Sequence, residues 1–146
     1  MKTLSKVLMD PGTYYIGDLC YVMDDVWDDV CATLFQHAEK GSVDEGGFRL
    51  YNNQDVEFVS FNTAYGDGTY LDQQGRKYPV DSGGIGCVSV DHIDITNVHA
   101  QPSLGNIITF DKPFLCERVG GTIYFGKIVI ETDPEMVDEE DDEYEV

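Results

Sequence analysis

Apolar positions in this chain follow two different periods. Residues 12–23, Gly-Thr-Tyr-Tyr-Ile-Gly-Asp-Leu-Cys-Tyr-Val-Met, are dense in aromatic and β-branched side chains and predict a strand. Gly17-Asp18 interrupts it as a bulge or bend. Between Asp24 and Lys40 the period lengthens to that of a helix, with Val26, Trp27, Val30, Cys31, Leu34 and Phe35 on one stripe. Asp24 or Asp25 is placed to cap it and Gly41 to stop it. Trp27 and Phe35 should anchor the helix on a sheet.

From residue 47 onward short apolar runs alternate with turn residues. Phe48–Tyr51 and Val56–Phe61 flank a turn at Asn52-Asn53. In the second run Val56, Phe58 and Ser60 alternate with Glu57, Val59 and Phe61, so both faces of that strand should be partly covered. A tight turn in Tyr65–Asp72 leads into a strand, and Gln73–Gly75 turns it back into Arg76–Val80. Ile85–Ile95, Ile107–Phe110 and Thr122–Ile130 read as further strands, with a polar loop over Asn97–Gly105. One helix followed by about eight strands predicts an α+β fold. The expected form is a mostly antiparallel, strongly bent sheet or partly closed barrel, with the helix on one face or over one end.

Composition agrees with one domain: 146 residues, 42% hydrophobic, are enough for an ordinary core. No apolar run approaches the roughly 20 residues of a membrane helix, and the opening residues lack the roughly 7–15 apolar residues of a secretory signal. A cytoplasmic site is the expectation. Cys20, Cys31, Cys87 and Cys116 show no metal-knuckle or redox spacing and read as reduced core residues. A disulfide would require Cys20 and Cys87 to meet in space.

Charge alters the picture more. The net charge is −19 at neutral pH; residues 131–146 contribute −10 with no Lys or Arg, and residues 1–130 contribute −9. Apolar content collapses after Asp133-Pro134, so the expectation is a globular domain over 1–133 and a disordered acidic tail over 134–146. A field of this sign repels phosphate backbones and anionic lipids. Direct nucleic-acid or membrane binding is therefore not expected, whereas a basic protein surface fits. Candidate partner-binding residues are Asp24, Asp25, Asp28 and Asp29, together with Asp138, Glu139, Glu140, Asp141, Asp142 and Glu143 of the tail. The four aspartates at the helix start also complement its positive end, and a tail of this kind also serves solubility alone.

Two segments share a glycine-centred composition: Ile16-Gly-Asp-Leu-Cys-Tyr21 and Val80-Asp-Ser-Gly-Gly-Ile-Gly-Cys87. In one reading Asp18 and Asp81 meet as paired carboxylates beside Ser82, for acid–base work or a hard cation. In the other, each aspartate caps its own turn. No cofactor is expected, since the second segment lacks the G-K-[ST] of a phosphate loop. No catalytic residue is assigned either: Ser82 lacks a nucleophile elbow, and His92 and Asp94, on one face of the expected strand, have no nucleophile near them in sequence.

Residues Pro11–Val22 and Tyr78–Gly86 resemble small uncharacterised proteins common in bacteriophage and some bacterial genomes. Those share a Pro-Gly-Thr-Tyr-Tyr-Ile-Gly-Asp-Pro-Cys-Tyr-Val-like strand and a Tyr-x-Val-Asp-Ser-Gly-x-Ile-Gly segment, with Leu19 here where proline is usual. The resemblance covers about a fifth of the chain and carries no activity; it implies a phage origin and a protein acting on host machinery. The leading expectation is thus a non-enzymatic acidic protein that binds a basic surface, of inhibitor or DNA-mimic type. A small enzyme or ligand-binding module at Asp18 and Asp81, and a virion or assembly component that oligomerises, are the competing expectations.

Overall fold

The computed structural model describes residues 6–34, 45–50, 53–93, 96 and 104–133. The expected tail, the C-terminal part of the expected helix with Phe35, Asp94, His37 and His99 lie outside the described residues. Among the described residues are eleven strands and one α-helix: β1 (Lys6–Met9), β2 (Gly12–Gly17), α1 (Trp27–Leu34), β3 (Gly46–Leu50), β4 (Asn53–Asn62), β5 (Gly68–Asp72), β6 (Lys77–Val80), β7 (Gly84–Ser89), β8 (Gly105–Phe110), β9 (Phe114–Val119), β10 (Thr122–Phe125) and β11 (Ile128–Glu131). All pairings are antiparallel. They form two sheets, of order β1-β9-β10-β11-β5-β6 and β3-β4-β7-β2-β8. The fold is α+β, with two sheets and no closed barrel.

The five-stranded sheet is the middle layer. One of its faces meets the six-stranded sheet through Ile16, Val59, Phe61, Ile85 and Cys87 against Cys116, Ile123, Phe125, Ile128 and Ile130. Its other face carries Tyr15, Phe58 and Val88, which pack with Leu19, Val22, Met23 and Val30 of the helical layer. β4 therefore has two dry faces, as its alternation predicts: Phe58 turns to the helix and Val59 to the second sheet. Each such buried aromatic or aliphatic side chain contributes about 1.5–3 kcal/mol relative to exposure. At one end of the sandwich Phe110 stacks on Phe114 at 3.7 Å between ring centroids, and Tyr14 meets Phe114 edge-on at 5.0 Å. Burial pushes the Tyr14 phenol up to about 12, so this ring is neutral at any physiological pH.

Four boundaries differ from the sequence expectation. The strand expected over 12–23 stops at Gly17, and Leu19–Tyr21 forms a 3-10 turn, because Asp18 accepts from Cys20 N–H and closes the chain on itself. The helix starts with a separate 3-10 turn, Asp24–Val26, preceded by Met23 with no side-chain cap; neither Asp24 nor Asp25 caps α1. The strand expected over 85–95 ends at Ser89, whose hydroxyl accepts from Asp91 N–H and starts the turn Val90–His92. Thr122–Ile130 is a hairpin, folded at Gly126 with φ of +61°, which a side chain would strain. β1 and β9, a pair that contacts the rest of its sheet only through β10, were not expected from the pattern.

Candidate functional site

The two glycine-centred segments meet. Asp18 leaves β2 in an extended conformation, fully buried, and its carboxylate takes four hydrogen bonds. Cys20 N–H (3.0 Å) and the Ser82 hydroxyl (2.7 Å) donate to Oδ1; the N–H groups of Asp81 and Ser82 (2.7 Å each) donate to Oδ2. Asp18 thus caps its own turn and also clasps the turn after β6, sixty-odd residues away. Bonds to a charged acceptor are short and strong, and here they offset the cost of burying it. The Tyr15 hydroxyl donates to the Asp18 carbonyl at 2.8 Å, and the Tyr21 hydroxyl donates to the Asp81 carboxylate.

The glycines make this junction possible. Gly17 pairs with Gly86 on one side and Gly105 on the other, a row across β7, β2 and β8. A Cβ at Gly86 would lie 2.5 Å from the Val59 carbonyl oxygen and 2.6 Å from Leu19 Cγ; one at Gly105 would lie 2.4 Å from the Tyr15 ring. The row is the hollow into which Leu19 and Tyr15 settle.

Chemically the junction is a clasp. Burial, reinforced by the neighbouring Asp18 carboxylate, pushes the Cys20 thiol well above its ordinary value. Burial and the bond to Asp81 do the same for the Tyr21 phenol. Neither supplies an anionic nucleophile at neutral pH. The Ser82 proton is held by Asp18, and Ser82 borders a cavity of only about 70 Å³ beside Trp27, Cys31 and Leu34. His92 is elsewhere: it lines a different cleft. Among the described residues no group of three or more His, Cys, Asp or Glu side chains is arranged to hold a metal ion.

That second cleft, about 620 Å³, opens between the turn before α1, the end of β3 and the Val90–His92 turn. Val22, Met23, Leu50 and Val56 form an apolar floor; Asp25, Asp29, Asp91 and His92 stand around it. Asp24 and Asp28 are exposed on the same two turns. Among the described residues no Lys or Arg lies within ion-pair distance of Asp24, Asp25, Asp28 or Asp91. The strand pattern over Ile85–Ile95 hides Asp91, while the signal for its turn is Ser89, a turn-capping residue two positions earlier. The tail acids Asp138–Glu143 lie outside the described residues.

Cys20 and Cys87 do not approach each other as a disulfide would require. Cys87 sits between the sheets against Cys116, both thiols free and buried, and burial raises the Cys87 thiol well above its ordinary value. No helix among the described residues is long and apolar enough to cross a membrane. No protein-family model, curated protein or solved structure matches this chain.

Proposed function

We propose that this chain is a non-enzymatic acidic binding protein that docks a basic protein surface through the cleft beside α1. Asp25, Asp29 and Asp91, which stand around an apolar floor, with Asp24 and Asp28 exposed on the adjoining turns, carry this reading. Like charges this close repel one another, and the positive end of a short helix offsets only about 0.3–1 kcal/mol for each. Among the described residues no Lys or Arg neutralises Asp24, Asp25, Asp28 or Asp91, and a cationic partner relieves their repulsion on binding. Arginine and lysine suit the cleft twice over, since their aliphatic stems cover apolar surface while their heads meet carboxylates. The tail acids extend the same field and speed encounter. A surface that normally holds phosphates would meet carboxylates instead, which is the inhibitor or nucleic-acid-mimic mode, and a phage-encoded protein acting in a host cytoplasm would use it so. Asp18, Asp81 and Ser82 enter this function as the clasp beneath the helical layer.

The test is capture from a cell lysate on the immobilised full chain in low salt, with elution by rising salt and identification by mass spectrometry. The expected partner has an exposed basic groove and is displaced by added nucleic acid. A partner held equally well by a variant with Asp24, Asp25, Asp28 and Asp29 changed to Asn and residues 134–146 removed would overturn the proposal.

A further inference from the structure

The other outer surface of the molecule is of a different kind. Five large hydrophobic side chains are exposed among the described residues, and four of them lie on the six-stranded sheet: Leu8 (70% exposed), Val119 (59%), Leu71 (50%) and Leu115 (40%). The strand register puts all four on its outer face. Leu8 stands opposite Leu115; Val119, Thr122, Glu131, Leu71 and Lys77 follow one another across five strands; Lys6, Glu117, Tyr124 and Val129 form a parallel row. The inward positions of the same strands, Val7, Cys116, Ile123 and Ile130, are buried against the other sheet. On this one face Leu8 and Leu115 adjoin, while Val119 and Leu71 flank Thr122 and Glu131 in a second row.

We propose that this face is where a second copy of the chain packs. Charge decides the occupant. In a two-fold contact a surface meets itself, so a face of near-zero net charge avoids repelling its own copy. The outward rows hold Lys6 and Lys77 against Glu117 and Glu131, a balance of two and two, in a chain of net charge −19. The helical side, with its five carboxylates, would repel its own copy. Lys6 and Lys77 also stand on β1 and β6, the two edge strands, where a lysine opposes strand-to-strand addition. Association is therefore face to face and closes at two copies. Six strands at ~4.8 Å spacing and about five residues at ~3.3 Å give roughly 500 Å² of sheet per copy. That is below the roughly 800 Å² per partner of a standard interface, so the dimer is weak and concentration-dependent.

Sedimentation equilibrium of the full chain, from micromolar to millimolar concentration and in low and molar salt, tests this. The mass should rise from 16.3 kDa toward twice that value with concentration. It should rise further in salt, because screening removes the long-range repulsion between two acidic chains while leaving apolar contact intact. Leu8→Glu with Leu115→Glu should weaken association at least tenfold at unchanged melting temperature; if that double variant fails to fold, Val119→Lys serves in its place. A wild-type chain that is monomeric throughout overturns the proposal, as do variants that dimerise like the wild type. Dimerisation seen only after removal of 134–146 also overturns it, since the tail rather than a second copy then covers the face.

Discussion

The two outer surfaces of this three-layer molecule solve the problem of an exposed sheet face differently. The five-stranded sheet hides its outer face under Leu19, Val22, Met23, Val30 and α1, and that cover presents carboxylates to solvent. The six-stranded sheet carries exposed apolar side chains on β1, β9 and β5 of its outer face, with Thr122 and Glu131 on the strands between, and is balanced in charge. Net charge is therefore a poor guide to what a given side of a protein will bind. At −19 the chain is acidic at long range, yet at contact range one side presents carboxylates and the other presents exposed apolar side chains.

The largest expected effect comes from separating the two sides. Asp18→Ala strands four donors and removes the clasp under the helical layer, at a cost of about 3 kcal/mol or more in urea unfolding. Amide exchange should quicken in Leu19–Tyr21 and around Ser82 while β9 and β10 stay protected; uniform loosening would mean that the two sides are one cooperative unit. Next comes Gly86→Ala, whose Cβ meets the Val59 carbonyl and Leu19: about 1–3 kcal/mol from overpacking. Removing the clash with Leu19→Ala in the same chain should recover only part, since the backbone oxygen stays.

Salt provides the direct test of the contrast. Capture of a basic partner at the helical cleft should fall as ionic strength rises, and self-association through the open sheet should increase. Slopes of the same sign for both would erase the distinction. Acid acts on the sheet side through Asp72. Burial works against its charged form, but bonds from Arg76, Tyr78 and the N–H groups of Arg76 and Gln74 outweigh it and hold its pKa below the ordinary carboxylate value. A depressed carboxylate contributes stability that is present above the unfolded value of about 4 and is lost as pH falls through the folded value. Arg76→Ala should move the acid-unfolding midpoint upward; an unchanged midpoint would show that Asp72 is not its source. The smallest effect is on thiol labelling, with half-buried Cys20 and Cys31 on the helical side modified before Cys87 and Cys116 between the sheets.

Much of the fold was legible because it depends on local period. The apolar stripe from Val26 to Leu34 and the two-faced alternation of β4 were both visible as patterns. Three of the four differing boundaries share one cause. At Asp18, Ser89 and Gly126 the run of apolar residues continues, while a single side-chain acceptor or a left-handed glycine turns the backbone. β1 and β9 were missed because Leu8, Leu115 and Val119 face solvent, which blurs the alternation that marks a half-buried strand.

The pairing of Asp18 with Asp81 and Ser82 was posed by composition, but its chemistry was not. A glycine beside an aspartate reads alike whether the carboxylate faces a ligand or four backbone and hydroxyl donors. Local pattern was enough for the inventory: an α+β chain, a strong negative charge, and acids clustered at one helix start. It took the folded chain to show that Asp18 is consumed in a clasp, that Asp91 joins the helix-side acids, and that four of the five exposed apolar residues share a face. The physical reason is range. Period and composition are local, whereas the satisfaction of a buried carboxylate and the pooling of surface side chains depend on segments sixty or more residues apart.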